Sequence, residues 1–397
     1  MKVTEHKKLE GNISKICLID FFGGMWFPGP VFAIFLLANG MSLTQVGLIF
    51  ASSSIMPFFF DIPSSIWADR YSRKSMLALA WIAYLLMNAI YIFSHSFLMF
   101  FIAFSLNGIG TALQNGISNA LTYETLLSLG TQEQYEKTQA KIKKYFYAGR
   151  LLASLAGAYV YTIDPRGVFL FGVIASVASL VLVLLLKEPR REKSISRSFR
   201  QIREGLGFLL HHKLTWYAII VFSLMAGIHE LLFNYYQPVM QLARIPVAYF
   251  GVIYFISSAL SILGLVIYPK VREYLDWRKT IFLYLIIALI TALSFAANSY
   301  FLIIAAIIIS SFSHSSQDVF ISNVINKIVP SSHRATALSI QSQIHLIFNA
   351  ILIVAISGIA DKFSIGFGML IVFVLVIIIS AAFLKLTYKE TVLAQTE

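Results

Sequence analysis

Runs of about 20 apolar residues recur from one end of this chain to the other, each closed by a short polar or charged break, and no other feature narrows the possible folds as far. A hydrocarbon layer about 30 Å thick takes about 20 helical residues to cross at about 1.5 Å per residue. Inside that layer every backbone N–H and C=O must be satisfied internally, which leaves helices or a closed barrel. The short alternating segments of a membrane barrel are absent. With 58% hydrophobic and only 13% charged residues, against roughly 45–50% and 25% in soluble domains, the sequence specifies an all-α integral membrane protein.

Twelve spans are expected, at 14–38, 44–67, 75–94, 97–127, 138–162, 166–187, 213–241, 247–269, 278–296, 299–328, 334–361 and 364–386. The first lacks the short apolar core and small-residue cleavage site of a signal peptide, so it is expected to stay in the mature protein. The longest polar segment divides the chain into an N-terminal six-helix bundle (1–187), a linker (188–212) and a C-terminal six-helix bundle (213–397). Within the linker, Gln201 to Leu210 is expected to lie as an amphipathic helix on an anionic membrane surface.

Basic residues set the orientation, because loops rich in Lys and Arg stay on the cytoplasmic side. The N-terminal tail, the C-terminal tail and the even-numbered connections hold 27 of the 31, whereas the opposite connections hold only Arg166, Arg244 and Lys362. Both termini are therefore expected in the cytoplasm, with the chain in a bacterial cytoplasmic membrane. The same asymmetry accounts for the net charge of +12 without invoking nucleic acid. Cys17 is the single cysteine, so no disulfide forms within the chain. No phosphate loop and no H-E-x-x-H appears, and no enzymatic activity or cofactor is expected.

The two halves look duplicated. Ile117-Ser118-Asn119 recurs as Ile321-Ser322-Asn323, an offset of 204 residues that pairs Asn107 with Ser311, Thr111 with Ser315 and Gln114 with Asp318. These positions step i, i+4, i+7 and fall on one helical face, so one polar stripe occurs twice. A second offset, about 208, pairs Pro30 with Pro238. Glu230, Asn234, Gln237 and Gln241 give the seventh span a polar face as well.

Ionisable residues inside a membrane are costly and usually functional. Asp61, Glu124 and Arg150 fall in the cytoplasmic third, where opposite charges can neutralise one another, whether as a switch or as a static brace. Asp20, His229, Glu230, His314 and Asp318 fall nearer the midplane. Low dielectric disfavours the charged form of a buried carboxyl, which suits Asp318 or Glu230 to taking up and releasing a proton. The plainer alternative is hydrogen bonding between helices, the reading preferred for His345. His314 and Asp318 stand at a spacing that metal ligands use, but nothing completes a ligand set.

Between the second and third spans, Ser65-Ile-Trp-Ala-Asp69-Arg70-Tyr-Ser72-Arg73-Lys74 resembles the motif G-x-x-x-D-R-x-G-R-K/R of the major facilitator superfamily, with both glycines replaced by serine. Asp61-x-Pro63-Ser64 before it resembles the prelude of drug-efflux-like members. In the second half Arg278-Lys279 stands at the repeat, with Tyr274 where the Asp would be. The resemblance implies a fold of two pseudo-symmetric six-helix bundles with the first, fourth, seventh and tenth spans lining a central cavity. Substrate or protons would then bind among Asp20, Asn107, Thr111, Gln114, Glu230, Asn234, His314 and Asp318. It also implies a cytoplasmic gate of Asp61, Asp69, Arg70, Arg73, Lys74, Glu124 and Arg150, with Asp69 docking on the start of the eleventh span near Arg334.

The function expected is secondary active transport by alternating access, with protons as the coupling partner and a small molecule as the substrate. Trp26, Phe27, Phe233, Tyr235 and Tyr236 are expected near the cavity, which with a few acids suits an amphiphilic or cationic compound, and the resemblance of the Asp61 prelude to efflux-type members implies export. The alternatives are uptake of a nutrient or metabolite, and a membrane receptor or scaffold that translocates nothing. The span-five antiporter signature is not present at Gly149 to Gly157. A monomer in the lipid bilayer is the family expectation.

Overall fold

The computed structural model describes residues 2–189, 207, 213–297, 299–330 and 333–393, and the elements among them are helices. They are α1 (Lys2–Gly24), α2 (Phe32–Ala38), α3 (Leu43–Arg70), α4 (Arg73–Phe93), α5 (Phe97–Gln114), α6 (Ile117–Ser128) and α7 (Tyr135–Ile163), then α8 (Gly167–Leu184) and α9 (Lys213–Leu242). The remainder are α10 (Phe250–Tyr274), α11 (Trp277–Ala296), α12 (Tyr300–Ile328), α13 (Arg334–Lys362) and α14 (Ile365–Leu393). Nine stretches among the described residues are long and apolar enough to cross a membrane. The expected spans 1, 5 and 10 are helical too, but charged or polar residues interrupt their apolar length. The amphipathic linker helix expected over Gln201 to Leu210 lies outside the described residues, Gly207 excepted.

Two expected spans are broken. Span 1 divides at Met25–Val31, where Pro28 and Pro30 end α1 before the short α2 begins. Span 4 divides at Asn115-Gly116, and Gly116 takes φ +73°, a left-handed conformation that glycine adopts without strain. The expected loop at 68–74, by contrast, is nearly all helix. Despite Pro57 and Pro63, α3 runs to Arg70 and leaves only Tyr71 and Ser72 as the turn. A buried hydroxyl braces this stretch, since Ser64 donates both to the Asp61 carbonyl (2.9 Å) and to the Ala112 carbonyl on α5 (3.0 Å). Membrane helices tolerate proline where such groups re-satisfy the backbone.

The chain divides into two compact units, one of Met1–Asn39, Ser52–Ser196 and Val247–Phe255, the other of Gly40–Ala51, Arg197–Pro246 and Ile256–Glu397. In the first unit α1 packs on α7 backbone to backbone. A Cβ on Gly24 would stand 2.0 Å from the Phe146 carbonyl oxygen, one on Gly149 2.0 Å from that of Phe21, and one on Gly157 2.0 Å from that of Phe27. Small residues at such contacts are how membrane helices gain van der Waals packing where water supplies no driving force. At the α2 end a fully buried aromatic cluster forms around Tyr91, whose ring stacks on Phe100 at 5.1 Å and Phe169 at 4.8 Å.

Arg166, one of the few basic residues outside the basic loops, closes the same end. Its guanidinium donates to the carbonyls of Tyr91 and Ile92, to the Ser94 carbonyl (2.8 Å) and to Asn39 Oδ1 (3.3 Å), and it contacts the His95 ring. Those carbonyls are the ones a helix leaves without partners at its C-terminal end. Arg166→Ala is expected to lower stability by about 1–3 kcal/mol, read as a lower melting midpoint in detergent; an unchanged midpoint would show that water replaces the guanidinium there.

The second unit is built around Phe222, Phe320, Tyr284, Ile281 and Phe383, with α9 packed on α13 and α11 on α12 and α14. Its geometry repeats that of the first at the offsets found in the sequence. Ser72 caps α4 by accepting from Ser75 N, and 204 residues later Asp276 caps α11 by accepting from Arg278 N and Lys279 N. Asn107 Nδ2 donates to Ser53 Oγ (2.9 Å), and Ser261 Oγ donates to the Ser311 carbonyl (2.8 Å). Here 107 pairs with 311 and 53 with 261. A glycine permits each close approach, Gly108 against the Ser53 carbonyl on one side and Gly264 against the Phe312 carbonyl on the other.

Candidate functional site

Three of the residues singled out in the fourth span join one hydrogen-bonded chain in the first unit. It starts at the Asn107–Ser53 bond, continues through Thr111 Oγ1 donating to the Asn107 carbonyl (2.9 Å), and reaches Tyr84, whose hydroxyl is 3.3 Å from Thr111 Oγ1 and donates to Gln114 Oε1 at 3.3 Å. Asn107, Thr111, Gln114 and Tyr84 are all half-buried, so their remaining donors and acceptors are within reach of a solute. Asp20 lies on α1, with Oδ2 buried and without a hydrogen-bond partner among the described residues. Trp81, whose ring faces Gly23 one turn along α1, has its Nε1 in the same condition.

In the second unit Glu230 Oε2 lies 3.2 Å from His345 Nε2, the histidine that sequence reasoning set aside as a neutral helix-to-helix contact. The separation is that of an ion pair, while the angle falls outside hydrogen-bond geometry. The Glu230 side chain is 40% exposed and that of His345 20%, so a proton arriving at the carboxylate changes a contact that is only partly shielded. Nothing in α9 alone marks His345; the signal was its position on α13, a helix that packs along α9. Asn234 is half-buried, Gln237 is buried and Gln241 is exposed, so the polar face of α9 runs from solvent into the packing. The backbone of His314 and Asp318 is helical within α12, and their side chains, like that of His229, lie outside the described residues.

Of the aromatics expected to line the cavity from α9, Phe233 is half-buried and the two tyrosines are core. Tyr235 and Tyr236 are 3% and 4% exposed. Tyr235 donates to the Ile353 carbonyl (3.0 Å) and meets Ser357 Oγ (2.6 Å), and Tyr236 bonds Ser310 Oγ. Both hydroxyls find partners between helices, which lets the rings pack as core. Trp26 likewise packs on Phe32, and Phe27 on Phe171.

The charged turn after α3 is a junction of the first unit. Arg73 Nη2 lies 2.8 Å from Glu124 Oε1, with the side chains only 11% and 16% exposed. Ser72 stands where the family motif has glycine, and its hydroxyl both caps α4 and donates to Glu188 Oε2. The Arg73 N–H donates to the other Glu188 oxygen (3.0 Å), and Lys74 Nζ donates to the carbonyls of Leu184 (2.6 Å) and Leu186 (3.0 Å). The motif's serine is therefore a working contact, and Glu188 is a participant that sequence reasoning assigned to the linker.

Asp61 is half-buried, Arg70 is exposed over the Tyr71 ring at 5.7 Å, and Arg150 lies over the Tyr254 ring at 5.9 Å. The Asp69 side chain lies outside the described residues. Arg334, its expected partner, donates from Nε to the Val329 carbonyl (3.1 Å). A further carboxylate that the sequence did not flag is Asp361 in the second unit. Its two oxygens accept from the N–H groups of Leu43 (2.9 Å) and Thr44 (2.8 Å), satisfying the free start of α3 from 318 residues away.

Residues 16–297 match the sequence profile of the Major Facilitator Superfamily. An uncharacterized MFS-type transporter of Bacillus subtilis, YxaM, is 22% identical over 220 residues, which is 53% of this chain and 53% of that protein. An uncharacterized MFS-type transporter of Methanocaldococcus jannaschii, MJ1317, is 30% identical over 131 residues, 32% of this chain and 31% of that one. The chain thus matches about half the length of the first of these relatives and a third of the second. Among solved structures, the nucleoside transporter NupG superposes with a TM-score of 0.78 at 16% identity, covering 96% of this chain and 98% of NupG. The D-xylose-proton symporter superposes with a TM-score of 0.67 at 14% identity, covering 93% and 96%. A profile spanning most of the chain and a matching helical fold agree with the motif at Asp69 to Lys74, and this integral membrane protein belongs to the Major Facilitator Superfamily.

Proposed function

We propose that this chain is a secondary transporter working by alternating access, which couples the movement of protons to that of a small uncharged organic solute rich in hydroxyl or amide groups. The Glu230–His345 pair carries this reading. A half-exposed carboxylate with a histidine ring nitrogen already 3.2 Å away is a poor anchor for a cationic substrate, which would have to displace the imidazole. A proton delivered to Glu230 loosens the pair instead, and so links protonation to the contact between α9 and α13. Apart from Asp20, what remains for a solute among the described side chains of the two units is neutral: Asn107, Thr111, Gln114, Tyr84 and Asn234. Fold likeness to a nucleoside transporter and a xylose-proton symporter supports a polar, hydroxylated solute by analogy. In this reading Asp20, His314 and Asp318 complete the substrate and proton site, and bundles 1–187 and 213–397 are the moving bodies. Both termini face the cytoplasm, where Asp61, Asp69, Arg70, Arg73, Lys74, Glu124 and Arg150 form the gate.

Purified protein in liposomes under an imposed pH gradient, offered nucleosides, pentoses and cationic dyes in turn, tests this reading. Gradient-driven movement of a nucleoside or pentose is expected. Glu230→Gln is expected to abolish accumulation against the gradient while exchange of labelled for unlabelled solute persists. Accumulation surviving in Glu230→Gln but lost in Asp318→Asn would move coupling to Asp318. Movement of the dyes alone would restore the cationic substrate class, and binding without movement of anything would make the chain a receptor.

A further inference from the structure

We propose that a cavity at the basic end of the second unit binds the headgroup of an anionic phospholipid. The cavity, about 480 Å³, is enclosed by α9, α10, α11, α12 and α14. Its volume falls within the roughly 300–1,000 Å³ range of small-ligand sites. Buried Phe222, Phe320 and Phe383 supply apolar walls, and two exposed cations, Arg272 and Lys327, line the opening. Tyr268 and Asn323 add neutral polar groups between the two zones. An apolar interior under paired positive charges matches an amphiphile with a phosphate head and hydrocarbon tails.

The charges are unanswered among the described residues. Neither Arg272 nor Lys327 makes an ion pair or hydrogen bond to a described residue. Asp276 is the one carboxylate in the lining, and its Oδ1 is occupied in capping α11, at 2.9 Å from Arg278 N and 2.8 Å from Lys279 N. The internal repeat shows how the two corners differ. In the first unit the corresponding corner contains Glu124, 2.8 Å from Arg73, and 204 residues later Ile328 and Trp277 stand in the places of Glu124 and Arg73, while Arg272 and Lys327 replace Ala68 and Tyr123. One unit carries its own anion at this corner, and the other presents cations to an anion from outside. Basic pockets between membrane helices recognise phosphorylated lipid heads in this way. On the orientation proposed above the cavity opens toward the inner leaflet, but binding in detergent does not depend on that orientation, so failure here and failure there are separable.

The experiment is native mass spectrometry of the full chain in detergent, titrated with phosphatidylglycerol, with phosphatidylcholine and with inorganic phosphate. Phosphatidylglycerol is expected to form a persistent one-to-one adduct, and phosphatidylcholine is not. Arg272→Gln combined with Lys327→Gln is expected to weaken the adduct roughly thirty-fold, whereas Lys279→Gln, a neighbouring cation outside the cavity, leaves it unchanged. Both altered side chains are exposed, and an unchanged melting midpoint verifies that the double variant folds. Equal adduct formation by the double variant, or equal binding of phosphatidylcholine, would overturn the site. Displacement of phosphatidylglycerol by millimolar inorganic phosphate would overturn the lipid assignment and leave a free-anion site.

Discussion

Glu124→Gln is expected to cost about 3 kcal/mol of stability, the lower end of the range for breaking a buried ion pair by removing one partner. The charge on Arg73 stays where it is, 11% exposed, after the carboxylate 2.8 Å away has gone. Glutamine offers its amide oxygen but no charge, so the desolvation of the guanidinium is offset by less Coulomb attraction than before. The effect should propagate, because Arg73 is also the residue whose backbone N–H binds Glu188, and Lys74 beside it holds the Leu184 and Leu186 carbonyls at the end of α8. Loss of the pair therefore loosens α4, α6 and the end of α8 together. Replacing both partners, Arg73→Met with Glu124→Leu, is expected to recover most of the melting midpoint, since an apolar pair of similar volume has no charge to strand. A single variant that melts with the wild type would mean that water screens the pair and that the junction draws no strength from it.

The sequence and the structure part company in ways that have physical reasons. The spans were legible because apolar length is a one-dimensional property, and the duplication was legible because the offset of 204 could be read on the polar stripes, with the caps of α4 and α11 repeating it in the structure. The breaks at Met25–Val31 and Asn115-Gly116 were not, since proline and glycine are tolerated inside membrane helices as often as they end them. The stretch 68–74 reads as a polar loop because its composition is polar, yet most of it is helix. Ser72, which looked like a departure from a motif, turns out to donate to Glu188, and Ser64 of the prelude donates to Ala112. Pairings across long sequence separations, such as Glu230 with His345, Arg73 with Glu124 and Asp361 with the start of α3, have no local signature at all. Tyr235 and Tyr236 show the converse error, in which an amphipathic residue type was taken for a lining and the hydroxyls were instead satisfied inside the unit.

Gly149→Ala should be at least as damaging as the loss of Glu124, although it adds one methyl group and removes nothing. The new Cβ would stand 2.0 Å from the Phe21 carbonyl oxygen, well inside the distance at which real Cβ atoms meet other atoms, and the atom it meets is backbone. A side chain can rotate away; a carbonyl held in α1 cannot, so α1 and α7 must move apart. That separation spreads along the seam, because Gly24 and Gly157 make the same 2.0 Å approaches on either side, and the contacts they permit are lost as well. Overpacking of this kind costs typically about 1–3 kcal/mol, and a rigid obstacle puts Gly149 at or above the top of that range. The control is Gly11→Ala in α1, the partner helix of the seam, where the nearest atom is the flexible Lys15 Nζ at 3.7 Å. There the added methyl meets no backbone, and alanine's higher helix propensity is expected to leave stability unchanged or raise it by up to about 1 kcal/mol. Melting midpoints of the two variants in the same detergent separate the cases. If Gly149→Ala melted with Gly11→Ala, the backbone seam between α1 and α7 would not be what holds the first unit together, and its cohesion would have to rest on the aromatic cluster around Tyr91 and the Arg166 clamp.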